Sequence, residues 1–197
     1  MIKTATPVFC LLCCLLPASA TPRQTDSTAV LIAAAQEQIV LTDKYDPSYV
    51  MLDFPNGDVP IDRGVCTDVI IRAFRRLAID LQLLVHTDMK QNFNHYPAKW
   101  GLKRPDRNID HRRVPNFQTW FERQGKKIPV TGRGSDYLPG DIVVWKLPGN
   151  LDHIGMVADC KVEGTDRYAV IHNIGNGVEI EDILFVYEVT GHYRCFK

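Results

Sequence analysis

Three side chains in this sequence have the chemistry for nucleophilic catalysis: Cys66, His153 and His172. A cysteine thiolate is a nucleophile, and a nearby histidine can take its proton and later return it to a leaving group. A further polar group then orients that histidine. Cys66 lies in R-G-V-C-T-D-V, while the histidines lie in H-I-G-M-V and V-I-H-N-I-G. Each residue alone is typical of a structural position, but together they predict a cysteine-dependent acyl-transfer site.

The hydrophobic pattern places Cys66 at the start of an amphipathic helix. Its N-terminal amides and dipole are expected to lower the pKa of the Cys66 thiol. Asp68, on the polar side, is expected to pair with Arg72 four residues later. Apolar residues at three- and four-residue spacing form the other side of the helix: Cys66, Val69, Ile70, Ala73, Phe74 and Leu77.

Helical patterns come first in the chain and strand patterns follow. Besides the helix at Cys66, we expect helices over 27–41, capped by Ser27, and over 80–96 and 115–125. Strands are then expected over 142–145, 153–158, 168–173, 178–183 and 186–194. This order predicts an α+β domain in which N-terminal helices pack on a C-terminal antiparallel sheet. Adjacent strands of such a sheet could bring His153 and His172 together.

The first twenty residues resemble a secretory signal peptide. Lys3 precedes an uncharged apolar run over 8–16, and Ala18-Ser19-Ala20 fits a cleavage site. We therefore expect residues 1–20 to be removed and residues 21–197 to form a single domain, periplasmic or secreted, without stable membrane insertion. Lys plus Arg and Asp plus Glu both number 23, so the chain has no net charge that would attract nucleic acid.

Removal of the signal segment leaves three of the six cysteines, Cys66, Cys160 and Cys195. Export favours disulfide formation between cysteines that can meet. Cys160 and Cys195 both lie in the strand region, so we expect them to pair, with Cys66 as the free thiol.

The combined motifs resemble a known family. R-G-V-C-T-D-V, D-L-Q, N-I-D-H-R-R-V-P-N and L-P-G-D-I-V are similar to the bacterial domain of unknown function 1287, regarded as related to NlpC-type papain-like cysteine peptidases of peptidoglycan. The resemblance implies a papain-like fold and cleavage of an amide in stem peptides through a thioacyl intermediate. It makes Cys66 the nucleophile, His153 the base and His172 the orienting residue, with neither metal nor cofactor. We expect a monomer that acts on peptidoglycan peptide.

Asn173 is the alternative third member, because papain-like enzymes can use asparagine there. Neighbouring strand residues point to opposite faces, so only one of His172 and Asn173 can face His153. The Cys66 backbone amide would be one oxyanion donor. Where many relatives place a tyrosine upstream to contact the substrate carbonyl, the nearest counterpart in this sequence is Phe54. Tyr45, Tyr49 or a donor elsewhere would have to take that place.

Relative to those peptidases, this sequence has an insertion over 86–130, which carries His111, Arg112 and Arg113. Arginine binds carboxylates bidentately, so this group could grip an acidic part of the substrate. The alternative is a solvated loop in which the arginines pair with Asp110.

Three other functions remain open from the sequence. The same residues could transfer an acyl group or cut an amide outside the cell wall. Cys66 could instead be a core residue of a non-catalytic peptidoglycan-binding module. A zinc site from Cys66, His153 and His172 is less favoured, because no close ligand pair such as C-x-x-C is present.

Overall fold

The computed structural model describes residues 26–196. The expected signal peptide and its cleavage site lie outside the described residues. Between residues 26 and 196, no helix combines the length and the apolar character needed to cross a membrane.

Four α-helices precede the main sheet, as the sequence predicts. They are α1 (Ser27–Gln36), α2 (Cys66–Arg75), α3 (Leu81–Asn92) and α4 (Val114–Arg123). Asp26, rather than Ser27, caps α1, since its carboxylate accepts a hydrogen bond from the Thr28 amide at 2.9 Å. Short 3₁₀ turns extend α1 and α3 at Glu37–Val40 and Phe93–His95, and a third covers Asp110–Arg112.

Two short strands precede the main sheet. They are β1 (Lys44–Tyr45) and β2 (Arg63–Gly64), which pair in parallel. Two residues are too few to show an alternating pattern, so the sequence did not predict them. This pair holds the chain directly before α2.

Five strands form the main sheet in the order β6-β5-β4-β3-β7, and every neighbouring pair is antiparallel. The α+β class and the five predicted strands are therefore confirmed. The strands are β3 (Ile142–Leu147), β4 (Leu151–Lys161), β5 (Tyr168–Asn173), β6 (Val178–Glu181) and β7 (Glu188–Tyr193).

The two faces of the sheet carry separate hydrophobic cores. On one face, Ile142, Ile154 and Ile171 belong to the larger core formed with the helices. On the other, alternate residues of the same strands, such as Trp145 and Val157, form a smaller core with Tyr137 and Leu184. The helical core includes Cys66 and therefore fixes the start of α2 against the sheet.

The expected disulfide between Cys160 and Cys195 is wrong for this structure, in which Cys66, Cys160 and Cys195 are all free thiols. Cys160 is exposed near the end of β4, whereas Cys195 follows β7 and packs against the helical core. β3 lies between β4 and β7. Two strand spacings of about 4.8 Å exceed the Cα separation that a disulfide spans.

Candidate active site

Cys66 is the first residue of α2 and is only 4% exposed. Burial raises the pKa of its thiol to about 12, although a hydrogen bond from the Ile154 backbone N–H opposes that rise. The expectation that the helix start lowers the thiol pKa is therefore wrong for the resting site. Desolvation outweighs the local amides, and nearby Asp68 adds a negative charge that also disfavours the thiolate.

The thiol meets β4 where β4 and β5 separate. The Val157 N–H donates to Asp141 on the β3 side. Because amide directions alternate along a strand, the Ile154 N–H points toward β5. Paired residues of β4 and β5 include Met156 with Ile171 and Val157 with Val170, which are farther from Cys66 along β4. The Ile154 amide is thus directed away from β3 and can donate to sulfur.

The structure brings His153 and His172 together. His153 Nε2 lies 3.0 Å from His172 Nδ1, and both side chains are almost completely buried. Gly155 lies two residues after His153 on β4, and a Cβ there would come 2.8 Å from Val170 Cγ1 and 3.1 Å from the His172 Cβ. A larger residue at position 155 would therefore press on β5 beside His172.

Both histidines are held neutral at rest. Burial, with a smaller contribution from His172, lowers the pKa of His153 to about 3. Burial also lowers the pKa of His172, and the negative charge of Glu181 opposes that change. A neutral imidazole can act as a base, which is the form that proton transfer from Cys66 requires.

His153 directly precedes Ile154, the residue whose amide contacts the thiol. The His153 ring shares a sheet face with Trp145, its cross-strand neighbour, with ring centroids 5.8 Å apart. Ile154 and Cys66 belong to the helical core on the opposite face. The described contacts therefore join the thiol to the β4 backbone next to His153, whereas the His153 ring contacts His172 and Trp145 on the other face.

Asn173 does not face the histidine pair. Its side-chain amide donates to the Gly64 carbonyl at 3.2 Å and to the Lys44 carbonyl at 3.4 Å. It therefore ties β5 to the β1–β2 pair directly before Cys66. Of the two proposed third members, His172 is the one that contacts His153.

A cavity of about 210 Å³ opens beside Cys66. Tyr45 lines it, and the pKa of Tyr45 is raised to about 12 by burial and by Cys66 and Asp68. Tyr49 lies elsewhere, with its hydroxyl 3.0 Å from Asp106 and 2.9 Å from Asn108. The cavity is lined by Tyr45, Pro47, Val65, Cys66, Trp100, Ile109, Arg112, Arg113, Val114, Pro115 and Asp152.

Of the three residues 111–113, only the two arginines line the cavity. His111 is buried in the core, and burial lowers its pKa to about 3. Arg112 and Arg113 both line the cavity. The Arg113 guanidinium lies over the Trp100 ring at 4.1 Å, and an Asp110 oxygen is 3.2 Å away.

Arg112 grips the first turn of α2. Its guanidinium lies 2.9 Å from the Asp68 carboxylate, and both side chains are at most 4% exposed. The expected pair of Asp68 with Arg72 is wrong, because Arg72 instead binds Asp58 at 3.1 Å. Asp68 also accepts the Val65 N–H at 2.7 Å. The guanidinium of Arg112 is therefore already engaged by a carboxylate of the protein.

Sequence reasoning missed two acidic residues near the site. Asp152 precedes His153, lines the cavity and pairs with Lys99 at 2.9 Å and with Lys146. Glu181 lies beside His172. The position of Asp152 next to H-I-G-M-V was a usable signal, whereas the Glu181 contact depends on strand register. Within residues 26–196, no group of three or more His, Cys, Asp or Glu side chains is arranged to hold a metal ion.

The fold and site define an α+β domain with a buried helix-start cysteine beside a cavity and a histidine pair on the adjoining sheet. The family described as Domain of unknown function (DUF1287) matches residues 32–195, and the chain belongs to this family. A relative in Escherichia coli (strain K12), described as "Uncharacterized protein YijF", is 53% identical over 174 residues. That match covers 88% of this chain and 84% of the relative.

A solved structure also resembles this chain. It is described as an N-acetylmuramoyl-L-alanine amidase from Bacteroides uniformis ATCC 8492. The sequences are 11% identical, the TM-score is 0.47, and the match covers 87% of this chain and 99% of that chain.

Proposed function

We propose that this protein is a cysteine peptidase or amidase of the NlpC type, with a papain-like fold. It would cleave an amide bond in peptidoglycan stem peptides through a thioacyl intermediate. The observation that supports this most is the position of Cys66, which lines a cavity and contacts the β4 amide next to the paired His153. The choice of stem peptides rests on the motif resemblance described above.

In the acylation step, the Cys66 sulfur attacks the carbonyl carbon of the amide as His153 takes the thiol proton. The carbonyl oxygen becomes an oxyanion, for which the Cys66 backbone amide and the Tyr45 hydroxyl are the proposed donors. The C–N bond then breaks, and the protonated His153 gives its proton to the leaving amine. The acyl group remains on Cys66 as a thioester.

In the deacylation step, His153 takes a proton from water as the water oxygen attacks the thioester carbon. The C–S bond breaks, the sulfur regains the proton from His153, and a carboxylic acid product leaves. Because Cys66 and His153 are both neutral at rest, the thiol proton moves to His153 during the attack of the acylation step. We further propose that the mature chain acts as a monomer in the periplasm or outside the cell, without a cofactor.

The test compares purified mature wild-type protein with Cys66→Ala on purified peptidoglycan, with mass spectrometry of the released fragments. Cys160→Ala, at an exposed thiol, is the matched control. We expect new amine and carboxylate ends from the wild type and the control. Loss of the nucleophile should lower the rate by a factor on the order of 1000 or more. Equal cleavage by Cys66→Ala would overturn the proposal.

The burial of Cys66 favours one second function, a non-catalytic module that binds peptidoglycan in the cavity. In that case the wild type would sediment with peptidoglycan but release no fragments, and Cys66→Ala would bind equally well. Cleavage of other amides, or transfer of the acyl group to an added amine, would instead support the acyltransferase or non-wall amidase alternative.

A further inference from the structure

We propose that Glu181 is a positioning residue that fixes the proton on His172 and, through His172, the tautomer of His153. The effect of Glu181 on catalysis rests on the function proposed above. The tautomer assignment is independent of that function, because it follows from contacts among three side chains.

Glu181 lies on β6, the edge strand beside β5. Its backbone pairs with Val170, two residues from His172, so Glu181 and His172 are diagonal neighbours on one sheet face. Glu181 Oε2 lies 2.9 Å from His172 Nε2. This is a close electrostatic contact without the alignment of a straight hydrogen bond. The Glu181 side chain is 43% exposed, so water still solvates its carboxylate, whereas His172 is fully buried.

These contacts favour one placement of the protons on the two rings. The negative charge of the Glu181 carboxylate, 2.9 Å from His172 Nε2, favours the tautomer that carries the hydrogen on that nitrogen. In a neutral imidazole the other nitrogen, His172 Nδ1, is then an acceptor. His153 Nε2, at 3.0 Å from it, must therefore be the donor. This leaves His153 Nδ1 with the lone pair, the form in which His153 can accept a proton from Cys66.

Glu179 offers a matched comparison on the same strand. It lies directly opposite His172 in the register, and its negative charge also acts on His172. Its carboxylate is nevertheless not at ion-pair distance from the His172 ring, whereas that of Glu181 is. A tautomer effect that is specific to Glu181 therefore depends on contact with the ring and not on charge alone.

The test is a two-dimensional ¹H–¹⁵N NMR spectrum of the histidine ring nitrogens in wild type, Glu181→Lys and Glu179→Lys. In wild type, the hydrogens of His153 and His172 should both be on Nε2. An ammonium group can only donate, so Glu181→Lys should move the hydrogen to Nδ1 in both rings. Glu179→Lys, with the same charge change, should keep the wild-type pattern. A wild-type pattern in Glu181→Lys, or the same inversion in Glu179→Lys, would overturn the proposal.

Activity is the second measurement. If the protein cleaves peptidoglycan, Glu181→Lys should lower kcat by at least about 100-fold with little change in KM, since a wrong histidine tautomer disables the base. Glu181→Gln, whose amide oxygen can still accept, should retain more activity than Glu181→Lys. Equal kcat in wild type and Glu181→Lys would overturn the catalytic consequence. An absence of cleavage by wild type would instead count against the proposed function, and the spectra would still decide the role of Glu181.

Discussion

At the residue scale, the important property of Cys66 is that its surroundings favour the neutral thiol. The sulfur is buried, and the hydrogen bond from the Ile154 amide does not offset the cost of removing the thiolate from water. His153 is neutral for the same reason. The resting site therefore holds a neutral thiol and an uncharged imidazole rather than a thiolate and an imidazolium. Attack by sulfur and transfer of its proton should then occur together.

Alkylation rates should reveal this neutral state. With limiting iodoacetamide at pH 7, we expect exposed Cys160 to be modified well before Cys66, because the Cys66 thiol is buried and its pKa is raised to about 12. Labelling of Cys66 should become faster as the pH rises from 7 to 10. The measurement is peptide mapping by mass spectrometry at several times and pH values.

The control for alkylation is the same experiment in 6 M guanidinium chloride, where all three cysteines should react at similar rates. Rapid modification of Cys66 between pH 5 and 6 in the folded protein would show a preformed thiolate. That result would contradict the neutral resting state.

At the scale of elements, the start of α2 is held by a segment far away in sequence. The Arg112 side chain binds Asp68 and donates to the carbonyls of Ser48 and Asp46 at 3.2 and 3.3 Å. The Thr67 hydroxyl donates to the Arg112 carbonyl at 3.1 Å. These contacts join the 3₁₀ turn at Asp110–Arg112 to the first turn of α2. This part of the insertion, between α3 and α4, therefore helps to build the wall of the cavity.

Breaking this buried ion pair should destabilise the protein strongly. Asp68→Asn leaves the Arg112 charge buried without its carboxylate, so we expect a loss of about 3–5 kcal/mol in the free energy of unfolding. Urea denaturation followed by circular dichroism measures it. The matched control is Asp62→Asn, which breaks a half-exposed pair with Arg63 and should cost at most about 1 kcal/mol.

The double variant Asp68→Asn with Arg112→Gln provides a further check on this ion pair. It removes both buried charges and should be more stable than the sum of the two single losses predicts. Simple additivity of the losses would show that the two side chains do not act as a pair.

At the scale of the whole molecule, several histidines are enclosed in the folded chain. Burial lowers the pKa values of His111 and His153 to about 3. In the unfolded chain a histidine titrates near 6.5. Between these values the unfolded state binds more protons than the native state. The stability contributed by neutral burial is therefore complete above pH 6.5 and is lost as the pH falls toward 3.

This difference predicts that the free energy of unfolding already decreases at pH values higher than those at which carboxylates titrate. Between pH 6 and 4.5 the free energy of unfolding should fall by up to about 1.4 kcal/mol per pH unit for each such histidine. Urea denaturation at several pH values measures the slope. His111→Gln should make the slope shallower, whereas His95→Gln, at an exposed position, should leave it unchanged.

A flat dependence of stability on pH between 6 and 4.5 in wild type would contradict neutral burial of these rings. An equal effect of His111→Gln and His95→Gln on the slope would also contradict it, because His111 is buried whereas His95 is exposed.

The sequence was sufficient for features that depend on local patterns. Spacing of apolar residues placed Cys66 at the first turn of a helix, and alternation located five strands. Adjacent strands bring His153 and His172 within hydrogen-bond distance, as their succession along the chain suggested. The motif string also pointed to the family that the chain belongs to. These properties are encoded in residues that are close together in the chain.

Only the tertiary structure decided how the environment modifies those residues. Asp68 pairs with Arg112 across 44 positions rather than with Arg72, because packing brings the insertion onto α2. Strand order keeps Cys160 and Cys195 apart, and strand register brings Glu181 to His172. The ionisation of Cys66 depends on how much water the assembled core excludes. Burial and long-range contacts arise from the whole chain, so local patterns do not determine them.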